Sequence, residues 1–115
     1  MDQQIIFKRL NALLASGRMS EMRGALLMLN PVDIAQYLSS LETENLLRVF
    51  RILPGDCSAD VFSYMDDEQR EKLVSSIGDK EAGLLVENMF VDDAVDFLEE
   101  MPAELVRRVL SNVNE

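Results

Sequence analysis

Residues 60–72 read DVFSYMDDEQREK, and this stretch joins two predicted helices through a tight turn. Phe62 and Met65 lie three residues apart, the spacing that places two apolar side chains on one buried helix face. Asp66 followed by Gln69 is the pattern of a capping box, in which the first side chain satisfies a free backbone N–H of a new helix. The stretch therefore predicts a short helix, a turn and a second short helix.

The same arrangement recurs along the chain. An apolar residue, a second one three positions later and a glutamate three positions after that occur as Leu38/Leu41/Glu44, Phe62/Met65/Glu68 and Leu98/Met101/Glu104. Each copy spans the end of one helix and the start of the next, which is typical of stacked helix hairpins. We therefore predict an all-α, α-solenoid-like fold of about eight to ten helices, each roughly eight to twelve residues long.

Helix boundaries are predicted from breakers and caps. Gly17, Asn30-Pro31, Pro54-Gly55, Gly78-Asp79 and Pro102 separate the periodic segments. Thr43, Ser58 and Asp92 are well placed to begin the fourth, fifth and eighth helices, since hydroxyl and carboxylate side chains favour the N-cap. The first helix is predicted from residue 2 with Ile5 facing inward, and the ninth to end near Val113.

Composition excludes several classes of protein. The 115 residues include one cysteine and no histidine, which excludes an internal disulfide, a Cys/His zinc site and a histidine-dependent catalytic triad. The longest apolar run, residues 25–29, is far shorter than a membrane span, and the N-terminus lacks the pattern of a secretory signal. We expect a cytoplasmic domain that is not an enzyme.

Charge is distributed unevenly between the two halves. Residues 1–55 carry six basic and five acidic side chains, whereas residues 56–115 carry five basic and sixteen acidic ones. Six of these acids crowd into residues 90–104, FVDDAVDFLEEMPAE, although like charges one helical turn apart repel each other. The imbalance disfavours nucleic acid and membrane lipid as partners and favours a cation or a basic protein, or simply a well-solvated surface.

The sequence resembles the cytosolic N-terminal domain of MgtE-type magnesium transporters. The likeness runs from about residue 20 to the end and rests on PVDIA at 31–35, DVFSYMDDEQ at 60–69 and, most specifically, DDAVDFLEEMP at 92–102. The resemblance implies a right-handed superhelix on the cytoplasmic face of the cell membrane. In the family, paired CBS domains and a five-helix membrane pore follow, and the full-length protein forms a homodimer.

The expected organisation is one regulatory domain over residues 1–115. Residues 1–18 form a leading helix and residues 19–115 form stacked hairpins, while the CBS and membrane domains lie outside these 115 residues. We expect no direct membrane insertion and no nucleic-acid binding by this part of the protein.

The resemblance implies magnesium-contacting acids at Asp92 and Asp96, with Asp60 at a third matching position. Asp92 and Asp96 are four residues apart, so a helix projects both from one face, and Asp93 beside them is a fourth candidate. Mg²⁺ keeps several waters and commonly takes only one or two protein carboxylates. The alternative interpretation needs no metal, because Asp92 as an N-cap and Asp93 in the first turn are both favoured by the helix dipole.

The resemblance also implies a mechanism. Hydrated Mg²⁺ would bridge this acidic face and carboxylates of the CBS domains, which favours the closed pore. Since half of each site lies elsewhere, we expect binding to this domain alone to be weak, with a Kd of about 1 mM or higher. Oxygen ligands also suit Mn²⁺ and Ca²⁺. A rival hypothesis is a helical-repeat adaptor whose acidic face docks a basic protein.

Overall fold

The computed structural model describes residues 3–111, and within that range the backbone forms nine short α-helices and no strand. The prediction of an all-α chain of eight to ten helices is confirmed. The predicted ends at residue 2 and Val113 lie outside the described residues. The helices are α1 (Gln3–Ala15), α2 (Met19–Leu27), α3 (Pro31–Ser39), α4 (Thr43–Arg51), α5 (Gly55–Ser63), α6 (Asp67–Ser76), α7 (Asp79–Glu87), α8 (Val91–Glu100) and α9 (Ala103–Leu110).

From α2 onward the helices begin at a constant interval. Their first residues are 19, 31, 43, 55, 67, 79, 91 and 103, so that one helix starts every 12 residues and one helix pair every 24. This regularity explains why the apolar and glutamate pattern recurs at 38–44 and again at 62–68. Each pair cannot bury its apolar face alone, and stacking on its neighbours supplies the missing contacts.

Two predicted helix starts are wrong. Thr43 is the first helical residue of α4, and Glu42 holds the N-cap position. Ser58 lies inside α5, which begins at Gly55. Pro54 precedes α5 at the N-cap, and because proline has no backbone N–H it cannot donate a hydrogen bond to the preceding turn. The Ser58 hydroxyl instead donates to the Gly55 carbonyl oxygen at 3.0 Å, and Ser58 is buried.

Other predicted boundaries are confirmed. The Asp66 carboxylate accepts the Gln69 backbone N–H at 2.8 Å and caps α6 as the capping-box pattern indicates. Asn30 occupies the N-cap of α3 with Pro31 in its first turn. Gly17 ends α1 in the left-handed conformation, with φ of 71°, which glycine adopts without steric cost.

The buried side chains form one continuous core along the stack. At its centre Phe62 of α5 contacts Phe97 of α8 edge-to-face, with ring centroids 4.9 Å apart, and approaches Phe50 of α4 at 6.4 Å. Such pairs stabilise a core beyond the area that they bury. Leu10 faces this core from α1, whereas Ile5, predicted to face inward, is 62% exposed.

Arginine side chains connect successive repeats on the surface. Each contacts a residue 29 or 30 positions away in the chain, so the contacts follow the stacking of helix pairs. They are Arg23 with the Ile52 carbonyl, Arg51 with Glu81, Arg70 with Glu100 and Arg108 with Asp79. The resulting body is elongated, measuring 40 × 23 × 23 Å. Between residues 3 and 111, none of the helices has both the length and the apolar character that a bilayer span requires.

Candidate functional site

The acidic run of the sequence folds as α8. The chain enters this helix at Phe90, which occupies the N-cap in an extended conformation and offers no side-chain hydrogen bond. The prediction of Asp92 as an N-cap is therefore wrong, because Asp92 already has helical backbone as the second residue of α8. Asp92 and Asp93 instead lie in the first turn, where the positive end of the helix dipole favours negative charge.

The structure divides the four candidate metal ligands into two pairs. Asp92 and Asp96 are exposed and lie one turn apart along α8. Asp93 and Asp60 are half-buried, and together they line a concavity between α8 and α5. The four carboxylates thus do not converge on a single point.

A preformed metal centre is not found in the described part of the chain. No group of three or more His, Cys, Asp or Glu side chains within residues 3–111 is placed to hold a metal ion. The Asp92 and Asp96 pair still has the composition that a hydrated Mg²⁺ accepts, because this ion retains several waters and needs few protein oxygens. The metal role of these four residues stays a prediction.

The concavity between α5 and α8 has a volume of about 300 Å³. Two exposed aromatic rings stand at its edge, Tyr64 with 60% and Phe90 with 72% of their surface accessible. Neither the Asp60 nor the Asp93 carboxylate has an ion-pair or side-chain hydrogen-bond partner among residues 3–111. The lining residues are Pro31, Asp60, Ser63, Tyr64, Phe90 and Asp93.

Sequence reasoning missed the two aromatic residues of this concavity. A signal for Tyr64 exists, because Phe62 and Met65 fix the inward face of α5 and leave Tyr64 pointing outward. Phe90 has no comparable signal, since a phenylalanine preceding an acidic helix is more often a core residue than a surface one.

The opposite end of α8 is held by a charge cluster. Arg70 of α6 donates to Glu100 at 3.1 Å and also contacts Asp67, and its side chain is only 13% exposed. A side-chain hydrogen bond between Asp67 and Glu100 raises the pKa of Glu100 and lowers the pKa of Asp67. The pKa values of the two carboxyl groups beside the shared guanidinium are therefore shifted in opposite directions. The cluster connects the C-terminal end of α8 to α6.

The fold and the acidic surface together define a class of protein: a helical-repeat domain with one strongly acidic helix. A family model described as the MgtE intracellular N domain matches residues 29–115. The chain belongs to this family, which confirms the resemblance found in its motifs. No curated protein matches the chain.

A solved structure with the same fold is the crystal structure of the soluble part of a magnesium transporter. The TM-score is 0.90 with 21% sequence identity, over 98% of this chain and 45% of the matched chain. At this identity the likeness shows the fold alone. The present chain spans less than half of the matched chain, whose remaining part has no counterpart within these 115 residues.

Proposed function

We propose that this chain is the Mg²⁺-sensing regulatory domain of an MgtE-type magnesium transporter on the cytoplasmic face of the membrane. The observation that carries the proposal is the position of Asp92 and Asp96, two exposed carboxylates one turn apart on α8. Membership of the MgtE intracellular N domain family supports it. The domain would regulate transport and would not catalyse a reaction.

The mechanism follows from electrostatics. With little Mg²⁺ present, the carboxylates of α8 and those of the adjacent CBS domains repel each other and keep the domains apart. Hydrated Mg²⁺ placed between the two acidic surfaces removes this repulsion, so the domains approach and the closed pore is favoured. The ion shifts the equilibrium because it binds the closed arrangement more tightly than the open one.

Within this scheme the four acids have different positions. Asp92 and Asp96 face outward, where carboxylates of a neighbouring domain can share an ion with them. Asp60 and Asp93 line the concavity and would contribute to the same acidic field from the side. The arrangement does not discriminate Mg²⁺ from other divalent ions, since oxygen ligands suit Mg²⁺, Mn²⁺ and Ca²⁺ alike.

The experiment that tests the proposal is an amide NMR titration of this chain with MgCl₂. We expect saturable shifts around residues 90–100 with a Kd of about 1 mM or higher. They should disappear in the Asp92→Ala/Asp96→Ala variant and persist in Glu68→Ala/Glu71→Ala, which removes two exposed acids from α6. Shifts that NaCl of the same ionic strength reproduces would indicate charge screening and contradict metal binding by this domain.

A second candidate function is a helical-repeat adaptor that docks a basic protein. Its supporting observation is the excess of eleven negative charges in residues 56–115. Docking of a basic protein explains this excess without a metal. In an adaptor, neutralising any two acids of this half weakens partner binding by a similar factor. In the metal sensor, the effect is concentrated at Asp92 and Asp96.

A further inference from the structure

The concavity beside α8 has features that neither helix stability nor metal binding explains. Phe90 holds the N-cap of α8, a position at which Ser, Thr, Asp or Asn stabilises a helix through its side chain. Phe90 makes no such hydrogen bond, and with 72% of its surface exposed it also contributes little to the core. Tyr64 at the end of α5 is 60% exposed beside the same concavity.

Two unneutralised carboxylates accompany these rings. Asp60 comes from α5 and Asp93 from α8, so the two charges reach the concavity from separate helices. Both are half-buried, and neither has an ion-pair partner within residues 3–111. The combination of aromatic rings with two carboxylates from half-buried residues is complementary to an organic cation, which the rings attract through their π-faces.

We propose that this concavity binds an arginine side chain presented by a basic protein partner. A guanidinium group is planar, stacks on aromatic rings and donates several hydrogen bonds to carboxylates in a fixed geometry. The volume of the concavity, about 300 Å³, lies at the lower end of the range for ligand pockets. It suits one long side chain rather than a folded element. The net charge of −11 over residues 56–115 attracts the basic segment that carries this arginine.

The arginine pocket shares Asp60 and Asp93 with the four candidate metal ligands, but not Asp92 and Asp96, the pair that carries the proposed function. The Asp60 and Asp93 carboxylates are oxygen ligands that also suit Mg²⁺, whereas the ring faces of Tyr64 and Phe90 favour an organic cation. Asp92 and Asp96 are exposed on α8 and do not line the concavity. The inference therefore does not depend on metal binding, and each can fail without the other.

The test is an NMR titration of this chain with the capped tripeptide acetyl-Ala-Arg-Ala-amide. The same peptides with lysine and with citrulline, the neutral isostere of arginine, serve as comparators. We expect saturable shifts at residues 60–64 and 90–93 with the arginine peptide. Binding of the lysine peptide should be weaker by at least about threefold, because an ammonium group cannot stack on the rings or donate in the fixed geometry of a guanidinium. The citrulline peptide should not bind, because it carries no charge for the carboxylates and the ring faces to attract.

Variants separate this role from a structural one. Asp93→Asn and Phe90→Ser should each abolish the saturable response, while Asp92→Asn and Leu84→Ala, which removes an exposed apolar residue elsewhere, should retain it. Phe90→Ser should at the same time raise the Tm, because serine supplies the missing N-cap. Equal binding of the citrulline peptide, or an unchanged response in Phe90→Ser, would overturn the proposal.

Discussion

Phe97 is the side chain that fixes the acidic helix to the core. It is the buried residue of α8, fully inaccessible to solvent, and its ring meets Phe62 edge-to-face at 4.9 Å. We expect Phe97→Ala to lower the free energy of unfolding by about 3–5 kcal/mol, since it removes both burial and the aromatic contact. Urea unfolding followed by circular dichroism measures this loss. The exposed neighbour Val95 provides the control, and an equally large loss in Val95→Ala would contradict the assignment.

Glu100 makes stability depend on pH through its hydrogen bond with Asp67. Because that contact raises the pKa of Glu100, the stability contributed by this group is present below its usual pKa and is lost as pH rises through the raised value. The lowered pKa of Asp67 has the opposite effect, and its contribution is lost as pH falls through the lowered value. The two residues thus oppose each other across the acidic range.

The Glu100→Gln variant removes the pH-dependent contribution of Glu100 to stability. The amide keeps an oxygen for Arg70 but cannot ionise beside Asp67, so the loss at rising pH should be absent. We expect the stability of the variant relative to the native chain to increase as pH rises above the usual glutamate pKa of about 4.3. Chemical unfolding at several pH values checks this. A constant difference between the two proteins would show that the carboxyl groups are not coupled.

Individual residues were predictable where a local hydrogen bond or backbone conformation decided their position. The capping of α6 by Asp66 and the left-handed Gly17 depend on a few neighbouring residues, and both are confirmed. The predictions of an inward-facing Ile5 and of Asp92 as an N-cap are wrong for a different reason. Burial of Ile5 depends on which helices pack against α1, and the start of α8 at Val91 follows the 12-residue interval of the stack, which puts Phe90 and not Asp92 at the N-cap.

At the scale of the helix, the placement of α8 depends on Arg70. The nearly buried guanidinium connects α6 to Glu100 at the C-terminal end of α8, while Phe97 holds its centre. We expect Arg70→Gln to increase amide hydrogen exchange in α8 about fivefold, equivalent to ~1 kcal/mol of local opening free energy. Hydrogen exchange read by mass spectrometry or NMR measures the effect.

A matched control exists at the equivalent spacing. Arg51 pairs with Glu81 at 3.3 Å, also 30 residues along the chain, and this pair lies away from α8. Arg51→Gln should leave exchange in α8 unchanged. If both variants affect α8 equally, the change reflects general loosening of the stack and Arg70 has no specific positioning role.

The presence of each helix could be predicted from the sequence, but the residue at which a helix begins could be predicted only for some of them. Side-chain capping decides few of them: of the eight N-caps described for α2 to α9, Asp66 alone accepts a backbone hydrogen bond through its side chain. The other starts follow the 12-residue interval imposed by stacking. Residues with high capping preference, such as Thr43 and Ser58, therefore fall inside helices instead of before them.

At the scale of the whole molecule, the candidate site arises from contacts between distant segments. Pro31, Asp60 and Asp93 lie in three different helices and meet only because the pairs stack with a constant repeat. The sequence motifs single out acids that lie on α5 and α8 in the structure, and the metal role of these acids stays a prediction. Their division into an exposed pair and a pair lining a concavity depends on helix packing, which local spacing cannot specify.

The acidic half of the molecule also makes its stability sensitive to ions. If Asp92 and Asp96 bind Mg²⁺ with a Kd of about 1 mM, then ~10 mM MgCl₂ stabilises the folded state by ~1.4 kcal/mol, a rise in Tm of about 5 °C. NaCl at about 30 mM, which has the same ionic strength, relieves only the general repulsion and should raise the Tm less.

Differential scanning calorimetry compares the two salts directly. The excess produced by MgCl₂ should vanish in Asp92→Ala/Asp96→Ala and remain in Glu68→Ala/Glu71→Ala. Equal rises in Tm with both salts would mean that the charge of residues 56–115 acts only as a diffuse field. That outcome would favour the adaptor function over the metal sensor.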